Sequence, residues 1–407
     1  MTMIKARSVD LRSAVLDVTV AEGQSRVALA SALPSLTASS VYTHQLITRD
    51  VQQQVINPAT GELTQRSSTT PLPDSLSASL QLRQPVFNLR AWYSIGTAHL
   101  SEEIARLSVE DLRRRLTLST ANTVLSLVTS ERVAELNRAA LYSALERLEL
   151  AKAKFRNGAS TGLDVERAEQ DVVSVRASVV SGDESVRQAR EALGLALGVA
   201  EPIGVRPDLI LDELAREITG SCQSGTDFRA RPDVVAAIKK QELSRRKITD
   251  VKLQFAPTID LQSTLSTSTP TTGVSPATLW NIQAVFSWAI WEGGARYGAL
   301  KTTRAQADQA DLQRESLERQ VVVSVAQAQR AVSVAEQKVQ VAALSRDSAA
   351  KIDQMTQKTF RAGLSTSLEL VSAAAALRQA ELNLAVAEFG LVNSRIGLAL
   401  AMARCPL

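Results

Sequence analysis

Very little in this 407-residue chain could do covalent chemistry. It has two histidines, His44 and His99, in different segments, and two cysteines, Cys222 and Cys405. That is too few for a disulfide framework or a zinc site, and no Ser–His–Asp arrangement can be assembled from them. Glu292-Gly293-Gly294 and Gly158-x-x-x-Gly162 lack the Lys-Ser or Lys-Thr that follows a phosphate-binding loop. The expectation is a protein with no catalytic residue, no cofactor and no metal. Aromatic residues make up only 4 % and the formal net charge is +4. No basic cluster with interleaved aromatics occurs, so nucleic acid is not an expected partner. No run of about 18 apolar residues is present, which argues against a transmembrane helix. The start, Met1 to Ser8, lacks the apolar core of a secretory signal.

What the chain does have, it has twice. Phe155-Arg156-Asn157-Gly158-Ala159-Ser160-Thr161-Gly162-Leu163-Asp164 returns 205 residues later as Phe360-Arg361-Ala362-Gly363-Leu364-Ser365-Thr366-Ser367-Leu368-Glu369. Each copy is a glycine-centred turn followed by Thr-x-x-Asp or Thr-x-x-Glu, the capping-box pattern that opens a helix. After the first turn, Val165, Ala168, Val172, Val175, Val179, Gly182, Val186, Ala189, Leu193 and Ala196 recur at spacings of three and four. Leu370, Ala373, Leu377, Ala380, Leu384, Ala387, Leu391, Ser394, Leu398 and Ala401 match them after the second. A stripe with a seven-residue repeat predicts a coiled-coil seam. The chain therefore reads as an internal duplication.

Each copy also contains a stretch with a period of two. Ser39 to Val51 is rich in Thr, Val, Tyr and Ile, and Leu76, Ala78, Leu80, Leu82 and Val86 alternate with polar residues. These predict a β-hairpin over about 37–88, joined by a long polar loop. The second hairpin, about 257–291, has Ile259, Leu261 and Leu265 on one arm. Its return arm places Trp280, Ile282, Ala284, Phe286, Trp288 and Ile290 on one face. Trp280 to Trp288 spans roughly 26 Å at about 3.3 Å per residue. Tilted by about 40°, that becomes roughly 20 Å, close to the apolar band of a transmembrane barrel edged by aromatics. An ordinary sandwich strand facing a core fits the same pattern.

The expected organisation is mainly α with β. Repeat 1 (1–225) holds a helix from about 9 to 33, the first hairpin, a long helix over about 92–155, a helix over about 162–199 and an irregular equatorial segment, 200–225. Repeat 2 (226–407) holds a helix over about 230–254, the second hairpin, a long helix over about 294–361 and a helix over about 366–403. The long helices span about 95–100 Å at 1.5 Å per residue, and in each repeat two shorter helices laid end to end match the long one. The expectation is long antiparallel bundles with a hairpin at one end. Four strands cannot close a membrane barrel, and an open edge cannot remain in lipid. Membrane-embedded strands therefore require a ring of chains: two, three or four copies give eight, twelve or sixteen.

Taken together, the two F-R-x-G-x-S-T turns, Leu193-Gly194-Leu195-Ala196-Leu197-Gly198, Arg231-Pro232-Asp233, the Ala32-Leu33-Pro34-Ser35-Leu36 segment and Trp291-Glu292-Gly293-Gly294-Ala295-Arg296 resemble the TolC family of bacterial outer-membrane channel proteins. The resemblance covers nearly the whole chain. It implies a homotrimer with a twelve-stranded barrel in outer-membrane lipid and a helical tunnel in the periplasm. It further implies a passive exit duct for small molecules or polypeptides, serving an efflux pump or a type I secretion system, with a periplasmic adaptor and an inner-membrane transporter as partners. Family members usually begin with a signal peptide and more of the first helix, and the expectation from Met1 to Ser8 is that both are missing or replaced.

At the tips the resemblance puts Asp164 and Glu369 on acidic positions of the periplasmic constriction. Ser365 stands where the best-known member has an arginine that helps to hold the tunnel shut, and Ser372 replaces a second acid. Asp164 and Glu369 are equally readable as capping acids and nothing more. Phe155, Arg156, Gly158, Phe360, Arg361 and Gly363 are the expected adaptor contacts, although glycine there also suits plain turn chemistry. Trp280, Trp288 and Trp291 are the expected membrane-interface aromatics. The competing reading of the whole chain is a soluble, elongated coiled-coil scaffold or adaptor without a pore.

Overall fold

A computed structural model describes residues 7–44, 46, 49–56, 61–70, 74–205, 223–224, 227–269, 277–401 and 403–404. Most of the expected equatorial segment, the turn at 270–276, Cys222 and Cys405 lie outside the described residues. In chain order the elements are α1 (Val9–Ala30), β1 (Ser35–Thr43), β2 (Arg49–Ile56), β3 (Leu63–Thr70), β4 (Ser75–Phe87), α2 (Leu89–Arg156) and α3 (Gly162–Ala196). There follow β5 (Gln223–Ser224), a 3-10 turn (Phe228–Ala230), α4 (Pro232–Leu253), β6 (Thr258–Thr269), β7 (Thr278–Ser287), α5 (Ala295–Arg361), α6 (Ser367–Ala401) and β8 (Ala403–Arg404). They form two compact units, and each draws on both halves of the sequence.

The unit of Ala21–Glu102 and Glu242–Asp308 is built on an antiparallel sheet in the order β1-β4-β6-β7. The middle pairing joins the two hairpins, running from Leu76 opposite Thr269 to Phe87 opposite Ile259, with an irregularity at Pro85. Proline cannot donate to the ladder, so a register shift there is expected. The loop expected between the arms of the first hairpin contains a second ladder, β2 with β3, from Arg49 opposite Thr70 to Ile56 opposite Leu63. The sequences of its arms, Arg49–Ile56 and Leu63–Thr70, show no sustained apolar–polar alternation, so period-two reading misses them. Their backbone groups pair regardless.

Where strand gives way to helix, Asn88 Oδ1 accepts from Ala91 N–H at 3.0 Å and caps α2. The return strand reaches α5 through Gly293 (φ 61°) and Gly294 (φ 84°), left-handed values that favour glycine. The buried Arg296 then binds the junction together. It donates to the Gln254 carbonyl at 3.0 Å and to the Ala289 carbonyl, pairs with Glu292 at 2.9 Å and lies 4.7 Å over the Phe255 ring. His99 meets Ser25 at 3.3 Å, and His44 meets Asp74 at 2.6 Å.

The described residues of the other unit, which spans Met1–Val20, Glu103–Gln241 and Gln309–Leu407, are mainly helical, with a short ladder of β5 on β8. Ala144, Leu148 and Ala151 of α2 pack on Ala168, Val172 and Val175 of α3. Spacings of three and four on both helices let small and large side chains interdigitate along the seam. Farther along, a Cβ added to Gly182 would meet Asn137 Nδ2 at 3.2 Å and Ala134 Cα at 3.5 Å, so glycine permits the close approach of α2 and α3. Five of the seven buried positions of α3 (Ala168, Val172, Val175, Gly182, Leu193) follow the expected stripe, and Asp171 and Gly194 lie beside it.

Those of α6 leave it. Burial begins at Leu370, Ala373 and Ala380, then moves to Ala385, Phe389, Val392, Ile396 and Leu400. Ala374, Ala385 and Ile396 are eleven apart, the repeat of a helix with about 3.67 residues per turn. A helix not wound to 3.5 residues per turn turns its heptad stripe away from its partner. By length and composition α6 is also apolar enough to cross a membrane. Among the helices of the described residues it alone passes that test.

Candidate functional site

The sheet presents two unlike faces. The register puts Leu36, Leu76, Leu80, Leu82, Leu261, Leu265, Trp280, Ile282 and Phe286 on one side, all exposed. The other side carries Thr37, Ser39, Ser77, Ser79, Gln81, Gln262, Thr264, Ser266, Asn281 and Gln283. On this polar face Gln262 Oε1 accepts from Gln81 at 3.3 Å and from Gln283 at 3.1 Å, and Ser39 meets Ser79 at 2.8 Å. An apolar surface of this extent is costly in water and suits lipid. Trp280 and Trp288 point their indole N–H groups back to protein, at Ser263 Oγ (2.9 Å) and the Phe255 carbonyl (3.1 Å). With Trp291 they remain exposed.

The helix tips are built by local rules. The chain leaves α2 through Gly158 (φ 72°) and α5 through Gly363 (φ 79°). In both turns the amide after the glycine reaches back five residues: Ala159 N–H to Lys154 O and Leu364 N–H to Thr359 O, each 2.9 Å. Such paired bonds satisfy the last carbonyls of a helix. Both acids then cap. Asp164 accepts from Thr161 N–H at 3.0 Å and Oγ1 at 2.8 Å, and from Ser160 at 3.1 Å. Glu369 accepts from Thr366 N–H at 2.8 Å, while Thr366 Oγ1 accepts from Glu369 N–H at 3.3 Å.

The two turns are nevertheless unequal. Asp164 also receives the hydroxyl of Ser367, from the other copy. That bond, ahead of the Thr161 amide, holds the Asp164 carboxyl down at about 2. Glu369 shows only its cap and the exposed Ser372, which donates to the Glu369 carbonyl at 3.0 Å. Phe360 is 5 % exposed, with Lys154 Nζ 4.1 Å from its ring centroid and donating to its carbonyl, whereas Phe155 is 52 % exposed. Ser365 turns inward to Thr359 Oγ1 at 3.1 Å. Arg156 and Arg361 are exposed. The structure therefore brings Asp164 to the second turn, and leaves Glu369 and Ser372 on the surface of their own helix.

A further polar cluster lies behind the turns. Asp171 of α3 accepts from Arg147 of α2 at 2.7 Å and faces Arg378 of α6 at 3.7 Å. Buried Asp353 of α5 accepts from Gln357 at 2.7 Å. Burial pushes its carboxyl above the ordinary range, against the pull of Arg147 and Gln357. One Asp353 oxygen and Arg147 Nε have no hydrogen-bond partner among the described residues. These groups look in sequence like ordinary charges on solvated helix faces. The one cue is their place beside seam residues, Asp171 next to Val172 and Arg378 next to Leu377. No group of residues able to hold a metal ion occurs among those described.

One unit thus holds a sheet that is largely apolar on one face and polar on the other, and the other unit holds paired helices that end in glycine turns. The sequence matches the outer membrane efflux protein family over residues 2–199 and 229–404, and the chain belongs to that family, the family of TolC. It is 26 % identical over 440 residues to nodulation protein T of Rhizobium leguminosarum bv. trifolii, covering 99 % of this chain and 84 % of that protein. A shorter match, 30 % over 165 residues, links it to the fusaric acid resistance protein FusA of Burkholderia cepacia, covering 39 % of this chain and 31 % of that one. The crystal structure of the outer membrane protein VceC of Vibrio cholerae shares the fold, with TM-score 0.79 and 18 % identity, covering 98 % of this chain and 95 % of that one. The protein is a bacterial outer-membrane efflux channel and not an enzyme. A poreless soluble scaffold is set aside.

Proposed function

We propose that three copies of this chain close a twelve-stranded barrel and pass solutes outward through it, without chemistry of their own. The observation that carries this reading is the sheet with free outer edges. Strands β1 and β7 each pair on one side only among the described residues, while the face they share is apolar and exposed. Backbone groups cannot stay unpaired in lipid, and four strands are too few to close. Neighbouring copies supply the missing partners, and three give a barrel of twelve.

In this reading a periplasmic adaptor and an inner-membrane transporter act at the turns, with Phe155, Arg156 and Arg361 as the exposed contacts. The links Asp164–Ser367 and Lys154–Phe360 hold the two turns of one chain together. Their release, when partners favour the parted state, is the gating step. The cargo is small organic molecules, a reading supported by the relative named for fusaric acid resistance. The test is the mass of the detergent-extracted complex together with its conductance in planar bilayers. A trimer with discrete channels is expected. A monomer in membranes, or a ring without conductance, overturns the proposal.

A further inference from the structure

The four strands of the sheet contain only two charged residues, Arg83 and Asp260. Both belong to the polar face, near the end where β4 hands over to α2. Arg83 donates to Asp260 Oδ2 at 2.6 Å, and the two differ greatly in depth: the Arg83 side chain is 55 % exposed and that of Asp260 is 6 %. The second Asp260 oxygen is buried and has no hydrogen-bond partner among the described residues. The carboxylate is thus sunk into the wall beneath a guanidinium held at its surface. Around them stand Gln81, Gln262 and Gln283, amides bonded to one another.

We infer that Arg83 is an anion-selecting residue of the conduit, drawing carboxylate-, sulfonate- or phosphate-bearing cargo to the helix end of the barrel. This rests on the closed-barrel reading above and adds a cargo class to it. Three physical points carry it. An exposed cation over a recessed anion leaves a positive potential on the solvent side, and a low-dielectric wall focuses that field into the lumen. A guanidinium has five donors in a planar fork, so the single bond to Asp260 leaves donors for an oxyanion. One such group per chain, on a face whose other side chains apart from Asp260 are uncharged, attracts without trapping, as conduction requires.

The test reads the local potential directly. Gln283 is exposed and lies across Gln262 from Arg83 in the register, about 10 Å away at ~4.8 Å per strand. Q283C is made in a background with C222S and C405S, in the full-length channel. Its reaction rates with an anionic and a cationic methanethiosulfonate are compared in about 0.1 M salt. The Arg83→Gln and Asp260→Asn pair is exchanged together, so that no buried carboxylate is left unpaired. The ratio of anionic to cationic rate is expected to fall about threefold in this double variant and to hold in Arg83→Lys. An unchanged ratio in the double variant, or an equal loss in Arg83→Lys, overturns the assignment. Conductance of the parent channel, measured first, tests the ring independently.

Discussion

Replacing Asp164 by alanine removes more than a helix cap. The side chain accepts from the Thr161 amide and hydroxyl, from Ser160, and from Ser367 of the other turn. Loss of an N-terminal cap costs about 1 kcal/mol, and a hydrogen bond to a charged group contributes about 1.5 kcal/mol. Asp164→Ala should therefore weaken the tip by about 2–3 kcal/mol, whereas Glu369→Ala, which removes only a cap, should cost about 1 kcal/mol. Hydrogen exchange resolves the two, because local opening sets the amide rates in each turn. At 1.4 kcal/mol per tenfold, amides at 162–167 should exchange roughly 30–100 times faster in Asp164→Ala. Ser367→Ala should accelerate both helix starts about tenfold, while Glu369→Ala should touch only α6. Conductance in bilayers should rise in Asp164→Ala and Ser367→Ala, but not in Glu369→Ala. The Asp164 contribution is complete above the ordinary carboxylate value of 3.8 and is lost as pH falls through about 2. Mild acid should thus leave the link intact. Equal exchange in Asp164→Ala and Glu369→Ala, or no effect of Ser367→Ala on residues 162–167, refutes the cross-link between the turns.

Two more predictions concern the same unit. Phe360→Ala, at a buried ring, should lower stability by about 3–4 kcal/mol, while Phe155→Ala should change it by under about 0.5 kcal/mol yet weaken adaptor binding, as thermal unfolding and a pull-down with purified adaptor will show. Asp353→Asn should raise the melting temperature at neutral pH. The native carboxyl holds its proton more tightly than the unfolded one, so stability falls as pH rises past the ordinary carboxylate value. The advantage of the variant should therefore vanish below about pH 3.8.

Helices, turns and strand faces are legible in the sequence because each follows from a local rule. Gly158 and Gly363 mark chain reversals, Thr161 and Thr366 mark helix starts, and alternation around Trp280 marks a strand with one apolar side. The β2–β3 ladder is illegible because nothing in its side chains distinguishes strand from polar loop. The departure of α6 from its heptad stripe depends on how tightly the helix winds, which is a property of packing. The difference between Phe155 and Phe360 is equally hidden. Identical residues in matching frames acquire different surroundings only when Lys154 of one helix reaches the end of another. Likewise, Arg147, Asp171 and Arg378 are unremarkable charges until three helices bring them within reach.

The inequality of the two turns has a consequence for anything that approaches this end of the molecule. Both turns carry an exposed arginine, Arg156 and Arg361, but only the first offers an exposed ring, because Phe360 is buried beneath Lys154. A side chain that must stack on an aromatic ring therefore finds one at the first turn and none at the second, although the sequence writes the same Phe-Arg pair at both.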